Sequence, residues 1–318
     1  MSQIELRVLK QGLETPNVIS ASFFTMADAY RKFEQYTANL KNFCKLSAIP
    51  GFCTRIYTDD SGQEVALEVA SKYSHVSVIH FNCQEFREEV GHVGTFGTIA
   101  RFLPLFEKGL QLVWVSDIDI PANYLDPKRV QNMDDAEAQV SFITFLCYQN
   151  KPYGRKYTIL AGTILSRITF PKQILTKFLN KVLDEGFNDT LEKLNEANNI
   201  KNKLPSKFPY GTDEIFTNTS FYDYIVRHDI KCLVPKDYSR AGVYLGFKGL
   251  LTEKEKDMFS RYYRTLNPDY VSKLKQIIKT KLPGLVPQYP CLQEVLDVLP
   301  QLRISLFKSY VVKGKELD

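Results

Sequence analysis

The sequence predicts an α/β fold: a mixed, mostly parallel central sheet flanked by helices, with a helical C-terminal extension. Three observations carry that expectation. Short β-rich runs alternate with stretches of helical period, one strand of buried type ends in paired aspartates, and a 44% hydrophobic chain of 318 residues can fill a substantial core.

The first run, NVISASFF (17–24), follows Pro16 and is rich in β-branched and aromatic types. A helical pattern comes next, with Tyr30, Phe33, Tyr36, Leu40 and Phe43 on one face. FCTRIY (52–57) is the second strand, closed by the turn residues Asp59, Asp60, Ser61 and Gly62, and a helix is expected over 63–71. VSVIHF (76–81) is the third. A loop punctuated by Gly91, Gly94 and Gly97 leads into a helix expected over 98–108, with Ile99, Phe102, Leu105 and Phe106 inward. Leu112 to Val115, LVWV, is too short and too β-branched for a helix, so it reads as a buried central strand.

Beyond it, 122–138 reads as loop or short helix and 140–148 as an apolar run of either type. A strand interrupted by Gly162 is expected over 157–168, an amphipathic helix over 171–183, and exposed Lys/Asn-rich helix and loop over 188–207. Asp213 and Glu214 open a helix that buries Ile215, Phe216 and Phe221. A last strand is expected at 230–234 and a short segment at 243–247 among glycines 242, 246 and 249. The rest is helical in pattern, broken by Pro283, Pro287 and Pro290. The chain therefore divides into a body, 1–250, and an extension, 251–318, packed on it.

Composition narrows the function classes. With 41 basic and 36 acidic residues the formal charge is +5, too balanced for nucleic-acid binding yet compatible with a phosphorylated small molecule. Six cysteines without a CxxC pair read as reduced, packed thiols. No signal-peptide core and no run of eighteen apolar residues occurs, so no membrane span and a cytoplasmic location are expected.

Asp117 and Asp119 carry the chemistry. They share one side if the extended geometry persists past Val115, and carboxylates this close repel each other. A divalent cation of the Mg or Mn type neutralises such a pair; a strand end whose acids reach solvent or cap a turn is the plainer account. Gly162 marks either a close approach to the backbone or a bulge. Asp213 and Glu214 are candidates for a general base, or dipole partners of their helix. His228, beside Asp229, is a candidate third metal ligand. His80 and His92 belong to no motif and read as hydrogen-bonded structural groups. The loop GHVGTFG has neither a Walker ending nor the dinucleotide spacing.

Three segments in this order, ARFLPLFEKGLQLVWVSDIDIP (100–121), ILAGTILSR (159–167) and GTDEIFTN (211–218), resemble the nucleotide-sugar glycosyltransferases of the GT-A type. The last two are similar to the glycogenin-like family 8 branch, and the likeness covers roughly residues 17–230. The resemblance implies a Rossmann-like fold and the metal-dependent transfer of a sugar from a nucleoside-diphosphate donor, a UDP- or GDP-sugar, to a hydroxyl of a glycan or protein acceptor. It implies that Asp119 ligates Mn or Mg and that Asp117 ligates it or holds the ribose. Arg101 then pairs with Asp117 or a phosphate, unless it is an ordinary surface arginine. Ser20, Ala21 and Ser22 border the base and ribose, with Phe23 or Tyr57 stacking on the base, and Gly162 lies near the sugar. Two other functions suit an α/β sheet with an acidic site: a nucleotidyltransferase, or a non-catalytic nucleotide-sugar-binding protein.

Overall fold

Strands that are apolar on both faces are stable where helices cover the sheet on each side. The computed structural model describes residues 4–25, 33–120, 122–145, 157–184, 208, 211–237, 251–255, 268–287, 293, 297 and 307–317. Its strands form one mixed sheet: β1 (Glu5–Lys10), β2 (Asn17–Ser22), β3 (Cys53–Thr58), β4 (Val76–Asn82), β5 (Leu112–Val115), β6 (Val140–Ser141), β7 (Thr144–Phe145), β8 (Leu165–Ser166), β9 (Cys232–Asp237) and β10 (Phe307–Val312). The spatial order is β1-β4-β3-β2-β5-β8-β6-β9-β10, with β7 also paired to β9. β4, β3, β2 and β5 are mutually parallel, whereas β1, β8 and β10 run against their neighbours.

The helices are α1 (Phe33–Leu46), α2 (Gln63–Ala70), α3 (Gly97–Ala100), α4 (Lys128–Asp135), α5 (Gln173–Asp184), α6 (Thr212–Ile215), α7 (Tyr222–Arg227) and α8 (Pro268–Leu285), with a π-helical stretch, Phe216–Phe221, joining α6 to α7. One core lies under α1, α2 and α4, where Leu40, Phe43, Ala66, Val69 and Met133 meet Leu112 and Trp114. The other lies under α3, α5 and the α6–α7 segment, where Ile99, Phe102, Phe178, Phe216 and Phe221 meet Val113 and Val115. Successive residues of β5 thus feed opposite cores, as strand alternation requires. From β2 the chain steps outward to β3 and β4, then returns to lay β5 on the other flank of β2. Such a reversal opens a crevice at the carboxyl ends of the two strands.

Several expectations change. The helix expected over 98–108 is two pieces, α3 and a 3-10 turn at Leu103–Phe106, because Pro104 has no N–H to continue the helical ladder. The strand expected over 157–168 holds a 3-10 turn, Ala161–Thr163, ahead of the short β8. Extended geometry stops at Val115, and Ile118 and Asp119 lie in a turn. β1 and β10 were not expected, and β10 means the extension is not wholly helical. It adds a strand beside β9, and beyond it the buried Leu317 accepts a 2.6 Å hydrogen bond on its carbonyl from the Tyr222 hydroxyl. Tyr30, Pro290 and the segments 188–207 and 243–247 lie outside the described residues. Cys44, Cys53, Cys83 and Cys232 are free, buried thiols, and burial pushes Cys44, Cys83 and Cys232 up to about 12. No described helix is long and apolar enough to cross a membrane.

Candidate functional site

Backbone bonds on both sides fix the carboxyl end of β5. Ser116 N–H donates to the Ser20 carbonyl at 2.8 Å and Val115 N–H to the Ile164 carbonyl at 2.8 Å. Asp117 is the second residue past the end of β5. Arg101, just after α3 and almost wholly buried, reaches it: one terminal guanidinium nitrogen lies 2.7 Å from Asp117 Oδ1 and the other 2.5 Å from Asp213 Oδ2. One cation therefore joins two carboxylates that stand 96 positions apart in the chain. A planar guanidinium suits this because its two nitrogens point to separate partners.

Other contacts hold that cation in place. Ser20 Oγ donates to the Arg101 carbonyl at 2.7 Å. Gly162 lies against Asp117 so closely that a Cβ there would stand 2.1 Å from Asp117 Oδ2 and 2.9 Å from its backbone nitrogen. The residue is glycine for space, since its φ of −87° is open to any residue. Asn218, in the π-helical stretch, accepts from Ile159 N–H at 2.7 Å and donates to the Ile159 carbonyl at 2.9 Å, tying the Gly162 segment to the helix that carries Asp213. Arg129, also fully buried, donates to the carbonyls of Tyr124 (3.0 Å) and Thr163 (2.8 Å) and lies over the Trp114 ring. Burial pulls its guanidinium down to about 9.

Electrostatics distinguish the carboxylates. Burial raises Asp213 above the ordinary carboxylate range, and Asp117 adds to the rise while Arg101 opposes it. Burial pulls Arg101 the other way, but Asp117 and Asp213 outweigh it and hold its pKa raised. Asp117 keeps 39% of its side chain exposed, so it retains lone pairs for a ligand while Asp213 is mostly enclosed. Asp119, in the turn after β5, and Glu214, in α6, are partly exposed. Among the described residues no group of three or more His, Cys, Asp or Glu side chains stands together as a metal cage.

Not every predicted site residue belongs here. Ser20 and Ala21 are fully buried, and Ser20 serves Arg101 rather than the crevice; Ser22, at the strand end, has a buried hydroxyl with no protein partner. Tyr57 is a core residue, with burial pushing its phenol up to about 12, and it is closed to a base. Phe23 is equally buried, packed against Phe33 and Tyr36. His228 stands apart from Asp213 along the chain: Asp213 opens the helical segment and His228 caps its far end. There its ring packs on Tyr224.

The pair Asp59 and Asp60, read only as turn residues, forms a second polar cluster at the carboxyl end of β3. Cys83 N–H donates to His92 Nε2 at 3.0 Å, which leaves the ring proton on Nδ1 to donate to Asp59 at 3.0 Å. His80 bonds Asp60 at 2.8 Å and Arg87 pairs with the same carboxylate. The readings of His80 and His92 as structural groups agree with these bonds. A Thr-Asp-Asp triplet closing a strand was the available signal. No protein-family model matches this sequence, and no curated protein matches it significantly.

Proposed function

We propose that the chain is a metal-dependent glycosyltransferase of the GT-A type, moving a sugar from a nucleoside-diphosphate donor to an acceptor hydroxyl. The observation that carries the reading is Asp117 just past the carboxyl end of β5, where the strand order reverses beside β2, joined by Arg101 to Asp213. Ligands of doubly wound sheets bind at that reversal.

A Mg- or Mn-type cation needs only one or two protein carboxylates when waters and substrate phosphates complete its shell. Asp119 and the partly exposed Asp117 fit that role, and the absence of a three-residue cage among the described residues is compatible with it. Bound there, the cation supplies Lewis-acid stabilisation of a departing diphosphate. Asp213 has the raised carboxylate suited to accept a proton from an acceptor hydroxyl, with Arg101 fixing its orientation. Gly162 and Asn218 keep Asp117 and Asp213 in mutual register. A non-catalytic nucleotide-sugar-binding protein is the second reading. It is favoured by Arg101 already engaging one oxygen of each aspartate.

A panel of UDP- and GDP-sugars scored by melting temperature with and without Mn, followed by donor hydrolysis, tests both. A donor that stabilises only with Mn and is slowly hydrolysed, both effects vanishing in Asp119→Ala, supports the transferase. Binding without hydrolysis favours the second reading, and no binding sinks both. Gly162→Ala, which drives a methyl into the Asp117 carboxylate, is expected to lose donor binding and about 1–3 kcal/mol of stability.

A further inference from the structure

The edge of a sheet presents a row of open backbone N–H and C=O groups, a template for another strand. β1 is such an edge. It pairs antiparallel with β4 on one side and, among the described residues, with nothing on the other. Its side chains Glu5, Leu6, Arg7 and Val8 are all exposed, Leu6 to 50% and Val8 to 54%. These two apolar residues stand opposite Phe81 and Ile79, which are buried in the core under α3, and Ile4 on the same face packs against that core. The apolar surface of the sheet therefore runs out to its rim uncovered. A register irregularity between Val8 and Lys10 leaves Glu5–Val8 as the regular part of the strand, with Ile4 just ahead of it.

We infer that β1 is a homodimer interface, pairing antiparallel with the same strand of a second copy about a two-fold axis through Leu6. Symmetry demands that if one residue faces another, the reverse contact also forms. Only alternate residues turn their backbone groups outward, so partners are both odd-numbered or both even-numbered. Three registers that meet these conditions keep the central residue and both its neighbours ahead of the irregularity, centred on Glu5, Leu6 or Arg7. The first sets Glu5 against Glu5 and the third sets Arg7 against Arg7, and like charges directly opposite are destabilising.

Centring on Leu6 instead pairs Glu5 with Arg7 of the partner subunit twice, Ile4 with Val8 of the partner subunit twice, and Leu6 with its own copy. The segment Ile4-Glu5-Leu6-Arg7-Val8 keeps its apolar pattern on reversal and inverts its charges. That self-complementarity selects a second copy as the occupant. The two sheets then continue as one, and both apolar rims are covered. The inference is independent of the proposed chemistry.

Sedimentation velocity on the full chain tests it. The wild type is expected to dimerise at micromolar concentration. Glu5→Arg and Arg7→Glu each replace two attractive contacts with two repulsive ones, so each is expected to weaken dimerisation by about tenfold or more. Because both positions are exposed, the single variants keep the wild-type melting temperature of the monomer. The double variant Glu5→Arg/Arg7→Glu restores the opposite-charge pairs and is expected to recover the dimer. A wild type that stays monomeric to about 100 μM overturns the proposal. So does a dimer that ignores the single exchanges, and so does failure of the double exchange to restore one.

Discussion

At the scale of single residues, buried charges and their donors decide what the crevice edge looks like. Asp59 is the clearest case. Burial alone pushes its carboxyl up, but hydrogen bonds from His92 and Ser61 outweigh burial and hold it below the usual carboxylate range. A folded-state pKa below the unfolded one means stability that is fully present above about pH 4 and is lost as pH falls through the folded value. Asp59→Asn is therefore expected to cost about 1–3 kcal/mol at pH 7, and the difference from wild type should shrink toward pH 3. Urea titrations at the two pH values measure it; an undiminished difference at pH 3 places the loss elsewhere. The same reasoning separates the roles near the central strand: Asp117 is exposed enough to take a ligand, while Asp213 is enclosed with a raised carboxyl.

At the scale of elements, the π-helical stretch between α6 and α7 links two chain segments rather than simply filling space. A widened turn is common where a helix serves a site. Here it brings Asn218 onto the backbone of Ile159, where its amide both accepts and donates, and it donates as well to the Glu214 carbonyl at 2.9 Å. Among the described residues no strand pairs with the irregular segment leading to Gly162 at that point, and a side chain supplies the bonds a strand would have made. Asn218→Ala leaves the Ile159 amide and carbonyl unsatisfied in the interior. The expected loss is about 2–4 kcal/mol, with faster hydrogen exchange at Ile159, and an unchanged exchange rate would show the link to be idle.

At the scale of the whole molecule, β10 and the residues after it complete one edge of the sheet and part of the core. β10 pairs along its length with β9, and Leu317, one residue from the terminus, is fully buried against the core under α5 and the α6–α7 segment. Leu317→Ala should lower stability by about 2–4 kcal/mol, as a core truncation does, measured by calorimetry on the full chain. A melting temperature within error of wild type would mean that this segment is not part of the cooperative unit. The formal charge of +5 and the apolar rim at β1 set the other properties of this scale, solubility and association.

Local sequence settles the α/β class, the central strands β2 to β5, the helices α1, α2 and α5, and the place of Asp117 at a strand end. These follow from local periodicity and from residue types that suit only one backbone. It also determined that Arg101 and Gly162 needed explanation, without choosing between their alternatives. The tertiary structure decided the rest. Arg101 became a buried bridge and Gly162 a close approach because residues distant in the chain converge on Asp117, a contact that no periodicity encodes. Tyr57 and Phe23 went to the core and His228 to the far end of its helix for the same reason. β1 and β10 escaped notice because edge strands are short, half polar and defined by the neighbour they pair with, and that neighbour exists only once the chain has folded.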